Sequence, residues 1–587
     1  MFTAPAKDCM PNLDRVAPVR LWAPHAKAID IVVDDNAPFR LARDAHGVHT
    51  GDVAGMGRVG ARYAFVVDGK GPFPDPRSRS QPDGVHGRSE VVVVDDFVWT
   101  DGEFIAPALD TAAVVYEVNI GTFTEAGTFD AAIDKLDHLV DLGVTHLQLM
   151  PVAAFPGARG WGYDGVALYA PQASYGGALC LCRLVDAAHA RGLAVVLDVV
   201  YNHLGPDGNY TGSYGPYFTH LHHTPWGEAM NFDDEGSDEV CAFVLDNARM
   251  WFAEFHLDGL RLDAVHAIHD HKATPILEAL SRQTTAMSVE LKRALVLIAE
   301  SDFNDPGTVR PVDEHGTGMT AQWFDDFHHA LHVALSGERH GYYVDFSGLD
   351  DLVHALTKGF VYTGQRSAIR RRQHGRPWQG PGKRLLTYTQ NHDQVGNRAH
   401  GERLISIVGD DRARVGLLLL LTSPFVPMLF AGEEWGASTP FLYFTDHSDD
   451  IVAKNVRKGR QREFGLSDLA DPQDPSTFTR STLNWADLDH DHHAAFFAFT
   501  RNLLRLRRTI ADLHNDDVSA VGITRPAGAP YFVMQRGAAV VVVNLGPPVQ
   551  IAVDNNLVIA FSTRTDVDVS AAGVFLPADS AAILLPG

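Results

Sequence analysis

The 587-residue chain carries 49 Lys and Arg against 73 Asp and Glu, a net charge of −24, with 45% hydrophobic and 21% charged residues. This is an ordinary globular composition. It excludes nucleic acid and anionic membrane surfaces as partners, because both need clustered Lys and Arg.

The length predicts three or four domains, or fewer if one is a large barrel. The four cysteines, Cys9, Cys180, Cys182 and Cys241, include a CxC and no second pair at ligand spacing. Reduced thiols in a reducing compartment are the expectation. No basic start followed by an apolar core opens the sequence. The apolar run 415–430 is interrupted by Ser423, Pro424 and Pro427 and is too short to span a bilayer. A cytoplasmic location is therefore expected.

Short strands at 19–24, 29–33, 63–67 and 91–94, separated by turn residues, predict a β-sandwich over residues 1–105. Within it, GMGRVG (55–60) matches GxGxxG but precedes a strand instead of opening a helix. It reads as a hairpin connection and not as a dinucleotide site.

From about residue 111 the period changes. Strands at 114–118, 144–150, 194–200, 256–266, 294–299, 385–389 and 425–431 alternate with amphipathic helices at 131–142, 181–190 and 246–255. Such βα repetition predicts a (β/α)8 TIM barrel with loop insertions over 106–512. After a helix at 494–508, short strands at 531–535 and 539–543 predict a C-terminal β-sandwich over 513–587. The basic run 366–376 reads as a solvated helix face or a local clamp.

The stretch His256 to His266 (HLDGLRLDAVH) alternates with period 2, placing Leu260 and Leu262 on one face and Arg261 and Asp263 on the other. Alone, the Arg-x-Asp pair reads as a structural ion pair. Its company changes that reading, because catalytic residues in parallel barrels stand at the C-terminal ends of strands. Asp198 and His203, Asp263, Glu300, and His392 with Asp393 all fall at such ends.

Three carboxylates converging at one mouth repel one another, so they imply a cation or acid/base chemistry. No HExxH cluster is present, and His328, His329 and His332 lie on a helix-like segment without carboxylates at ligand spacing. Neither a metal nor a cofactor is expected in the reaction. A carboxylate kept anionic by Arg261 beside a glutamic acid raised above its ordinary pKa suits glycoside cleavage. Asp263 would attack the anomeric carbon, Glu300 would protonate the departing oxygen, and Asp393 would steady the charge. Loop aromatics, Trp161, Tyr163, Tyr169, Tyr214, Trp226 and Trp323, would supply sugar-stacking faces.

The segments DVVYNH (198–203), GLRLDAVH (259–266), IAES (298–301) and NHD (391–393) resemble, in order, four recurring blocks of the α-amylase superfamily of glycoside hydrolases. Within it the chain resembles the branch that acts on malto-oligosyltrehalose. That closer likeness rests on DPRSRSQPDGVHG (75–87), YEVNIGTFTEAGTF (116–129), LMPVAAFPGARGWGYDGVALYAP (149–171), HLGPDGNY (203–210), TPWGEAMNFD (224–233) and QWFDDFHHALHVALSGE (322–338). The first 18 residues and the start of the helix near Cys180 depart from the family pattern.

The resemblance implies a retaining hydrolase that releases trehalose and a shorter maltodextrin, with pathway coupling to a malto-oligosyltrehalose synthase. It also implies the roles of Asp263 as nucleophile, Glu300 as acid/base and Asp393 as transition-state stabiliser. The substrate-contacting residues it implies begin with Tyr163, Asp164 and His203. Around the nucleophile they are Arg261, Leu262, Ala264, Val265 and His266, and further along Asp325, Asp326, Phe327, His328 and His329. The last group is His392, Gln394, Val395, Gly396 and Asn397. A glycogen branching enzyme and a non-catalytic glucan-binding protein are the competing readings. Trehalose release against new α-1,6 branch points separates the first rival, and any turnover excludes the second.

Overall fold

A computed structural model describes residues 16–464 and 469–587. Cys9 and nearly all of the divergent first 18 residues lie outside the described residues.

At the centre, eight parallel strands close a barrel. They are β1 (Val115–Val118), β2 (His146–Leu149), β3 (Ala194–Val199), β4 (Gly259–Leu262), β5 (Val296–Ala299), β6 (Ala321–Trp323), β7 (Leu385–Thr387) and β8 (Val426–Phe430). Val115, Val196, Ile298, Ala321, Leu386 and Met428 fill its interior. The opposite faces of β1 to β5, such as Leu147, Leu197, Leu260 and Leu297, pack against the surrounding helices. Burial on both sides explains why these strands read as apolar runs, each large apolar side chain contributing about 1.5–3 kcal/mol.

Seven strands fall where the sequence places them. The eighth, β6, was not anticipated, because Ala-Gln-Trp is too short to show a period. Trp323, expected in a loop, ends this strand and turns into the barrel.

Two sheets precede the barrel. Val16–Trp22 pairs with Val48–Ala54, which pairs with Ala42–Arg43. Facing strands run Phe39–Arg40, Ile29–Val33, Arg62–Val67 and Lys70–Phe73. The GMGRVG segment joins Val48–Ala54 to Arg62–Val67, which belong to different sheets, so it crosses the sandwich and is not a hairpin turn. The strand expected at 91–94 is also corrected: pairing stops at Ser89–Glu90, and Val91 only exchanges backbone hydrogen bonds with Gly60 and Ala61.

Residues 75–87 fasten this region to the barrel. Arg79 forks onto Glu254 at 2.6 and 2.9 Å, and His86 bridges Tyr210 and Asp207 at 2.7 and 2.9 Å. Tyr169 and Tyr214, expected along the cleft, are instead buried here: Arg77 lies over Tyr169, and Tyr214 donates to the Pro74 carbonyl.

C-terminal to the helix Asp491–Thr509, a five-stranded sheet (Gly522–Thr524, Tyr531–Arg536, Ala539–Asn544, Ser580–Pro586, Leu557–Ser562) packs near a three-stranded one (Val549–Ile551, Gly573–Leu576, Asp568–Ser570). The basic run 366–376 is not helical; it forms part of the two-stranded hairpin Thr363–Arg366 and Gln373–Gly375 at the barrel mouth.

Candidate active site

Alternation along β4 sends Leu260 and Leu262 outward into the core and Arg261 inward, where it is 1% exposed. Parallel register sets Asp198 of β3 directly beside it. Arg261 Nη1 donates to both oxygens of Asp198 at 2.9 and 2.8 Å and to Asp263 Oδ1 at 2.9 Å. Its Nη2 lies 2.8 Å from Glu300 Oε2. Below, the guanidinium carbon sits 4.1 Å from the centroid of the Trp323 ring.

One buried cation thus holds three carboxylates. Burial opposes its charge, but Asp198, Glu300 and Asp263 overcome that cost and keep the guanidinium protonated. Burial pushes Asp198 up to about 7. Burial likewise raises Glu300, with the Asp263 charge adding to the shift and Arg261 opposing it. A glutamic acid that keeps its proton above the usual range can serve as a general acid.

The carboxylates are held as well as charged. Asn202 Nδ2 donates to Asp263 Oδ2 at 2.8 Å and to its carbonyl at 2.9 Å. Ala264 adopts a left-handed backbone, φ 39°, which turns its N–H onto Glu300 Oε2 at 2.7 Å. A non-glycine residue in that region is strained, and such strain clusters at functional sites.

Asp393 sits in the first turn of the short helix His392–Gly396, fixed by a reciprocal capping box between Asn391 and Gln394. Burial raises its pKa. Asn397 Nδ2 donates to Asp393 Oδ1 at 2.6 Å. Glu117 of β1 binds His392 twice, at Nδ1 (2.7 Å) and at the backbone N–H (2.9 Å). Against the cost of burial, this carboxylate raises the His392 pKa. The Tyr163 ring stacks on His392 at 5.3 Å, and its hydroxyl reaches Asp198 at 2.7 Å.

Glu300, Asp325 and Asp393 open into a cleft of about 310 Å³ that also includes Asp302, His329, Tyr342, Ile369, Arg370 and Gln394. That volume falls at the lower end of ligand clefts. Across the rim, Arg370 of the basic hairpin pairs with Asp302, which makes the 366–376 run a clamp. Asp325 accepts from Tyr388, and burial pushes it up to about 7. A larger groove of about 690 Å³, lined by Trp22, His25, Phe218 and Asp238 among others, contains none of these carboxylates.

Other expected contacts divide in two. His266 lies beside Phe303 and accepts from the Asp302 N–H at 3.3 Å. His203, lowered to about 4 by burial, sits behind Tyr163 with Trp226 stacked on it at 4.5 Å. Asp164 lies 3.7 Å from His447.

By contrast, Leu262, Val265 and Phe327 join the core, and Val395 packs with Trp161 and Phe430. Asp326 accepts from Asn304 and from the Val361 and Tyr362 N–H groups, so it organises a loop. His328 is buried against Tyr388. Gly396 lies tight against Trp161. Sequence reasoning passed over Asn202 and Glu117. The signal for Glu117 was a charged residue inside the apolar strand Val-Tyr-Glu-Val.

The family model for the α-amylase catalytic domain matches residues 73–215. The malto-oligosyltrehalose trehalohydrolase of Arthrobacter ramosus is 44% identical over 574 residues, covering 96% of this chain and 98% of that protein. The chain belongs to the malto-oligosyltrehalose trehalohydrolase family. Another such trehalohydrolase, from Saccharolobus solfataricus, is 46% identical over 489 residues, 83% of this chain and 84% of its own. Among solved structures, a candidate α-amylase from Salmonella typhimurium superposes on this trehalohydrolase family member with TM-score 0.89 and 37% identity, covering 97% and 98% of the two chains. A 1,4-α-glucan branching enzyme from Xanthomonas campestris is more distant from the trehalohydrolase chain, 27% identical over 551 residues and 66% of its own length.

Proposed function

We propose that this chain hydrolyses the α-1,4 bond next to the terminal trehalose unit of malto-oligosyltrehalose, releasing trehalose and a shorter maltodextrin. Identity of 42–46% to named trehalohydrolases supports the substrate class. The observation that carries the chemistry is the single Arg261 guanidinium joining Asp263 to Glu300.

In the proposed retaining mechanism, an Asp263 oxygen attacks the anomeric carbon while Glu300 gives its proton to the departing glycosidic oxygen. The aglycone leaves and a glycosyl ester remains on Asp263. Glu300, now a carboxylate, takes a proton from water, and the resulting oxygen nucleophile breaks the ester. Asp393 and His392 face the developing oxocarbenium-like charge and the sugar hydroxyls, with Tyr163 beneath the ring. No cofactor is needed for these steps.

Around this chemistry we place domain boundaries near residues 105 and 512, a cytoplasmic location, and pathway coupling to a malto-oligosyltrehalose synthase. Among the described residues no helix is long and apolar enough to cross a membrane.

Incubating the protein separately with malto-oligosyltrehalose and with amylose tests the reading. Free trehalose is expected. New α-1,6 branch points would identify a transferase, and any turnover would exclude a non-catalytic glucan-binding protein.

A further inference from the structure

A second cluster of side chains lies on loops beyond the carboxylates. The hairpin of Phe218–Thr224 and Gly227–Met230 follows β3 and carries His222. Asp233 comes just after it, and His271 stands on the loop that leaves β4. His222, Asp233 and His271 each offer one ligand atom, and these atoms all lie within 4.8 Å of one another.

The set is built rather than incidental. His222 Nε2 is 3.1 Å from both oxygens of Asp233, whose side chain is 7% exposed. The His271 backbone N–H donates to Asp233 Oδ2 at 3.0 Å and fixes the carboxylate. Asp270 accepts from the N–H groups of Lys272 and Ile276 and so braces the loop carrying His271. His269 stacks on His222 at 5.1 Å, packing three imidazole rings around one carboxylate.

We propose that His222, Asp233 and His271 form a binding site for a divalent first-row transition ion of the Zn²⁺ or Co²⁺ class. Two imidazoles and a carboxylate are the donor set of such ions, whereas Ca²⁺ and Mg²⁺ favour oxygen alone. Tetrahedral bonds of about 2.0–2.1 Å put ligand atoms roughly 3.4 Å apart. Rotation of the exposed His271 ring closes that gap, and the ion takes the place of the His222–Asp233 hydrogen bond.

Three protein ligands leave a fourth position for water. The ion does not enter the hydrolysis. It staples the hairpin to the β4 loop, and the hairpin tip holds Trp226 over His203, behind Tyr163.

The experiment titrates chelator-stripped full-length protein with Co²⁺, read by its visible absorption, and with Zn²⁺, read by calorimetry. One ion per chain is expected. His222→Ala and His271→Ala are each expected to weaken binding at least 10–100-fold, the loss that even outer-shell changes bring. Asp233→Asn, which keeps the hydrogen-bonding shape, should weaken it as well, while His223→Ala on the same hairpin should not. Bound Zn²⁺ should slow proteolytic cutting between residues 218 and 230. Failure to bind one ion per chain overturns the proposal. So does binding that survives both histidine variants, since the ion would then sit on others of the 29 histidines.

Discussion

Arg261 Nη2 lies 2.8 Å from Glu300 Oε2 and its Nη1 lies 2.9 Å from Asp263 Oδ1, so the proposed proton donor and the proposed nucleophile share one guanidinium. Charge moved off one carboxylate is felt by the other through a single planar group. Attack and protonation are coupled by that geometry, and the consequences can be measured.

Asp263→Asn should lower kcat by several orders of magnitude while leaving maltodextrin affinity nearly unchanged, because only an interaction made in the transition state is removed. Steady-state kinetics beside equilibrium binding checks this. Lost affinity with undiminished kcat would contradict the nucleophile role.

Asn202→Ala frees one oxygen of Asp263 from its 2.8 Å restraint. A carboxylate misplaced by about 1 Å costs on the order of a hundredfold in rate. The loss should fall on kcat, with KM moved less than threefold.

Glu117→Gln removes the charge that keeps the His392 pKa raised. Burial and the Arg261 charge are then opposed only by the weaker pull of Asp393, and the imidazole should lose its proton at lower pH than in the parent. NMR titration of the ring should show that downward move, and KM at neutral pH should rise about tenfold, the worth of roughly 1.4 kcal/mol.

Asp325 illustrates a stability effect of opposite sign. Its folded pKa of about 7 lies above the ordinary carboxylate value. The folded state therefore holds the proton more tightly, and the cost of burying the charge is absent below pH ~4 and complete above pH ~7. Asp325→Asn should leave stability unchanged at pH 4 and increase it by about 1 kcal/mol at pH 8, discounted because the side chain borders solvent. Denaturant midpoints at the two pH values decide it. Activity should fall in the same variant, since natural sites trade stability for function.

Much of this was legible because parallel strands buried on both faces leave apolar runs, and a charge at the end of such a run has few structural uses. Asp263, Glu300 and Asp393 are of that kind. Contiguous blocks mislead for a geometric reason: a strand or helix turns successive side chains in different directions. Leu262 and Val265 share a block with Asp263 yet pack into the core, and Asp326 beside Asp325 points into a loop. The metal ligands were invisible for another reason. His222 and His271 are 49 positions apart and meet only through the folding of two separate loops.

Gln394 both lines the cleft and closes the cap on Asn391. Anyone wishing to retune which glucan ends this protein accepts would find it a poor first choice, because replacements other than Glu lose the side-chain arm of the capping box on the turn that presents Asp393. Ile369, 42% exposed on the facing rim and outside that cap, is the better place to diversify.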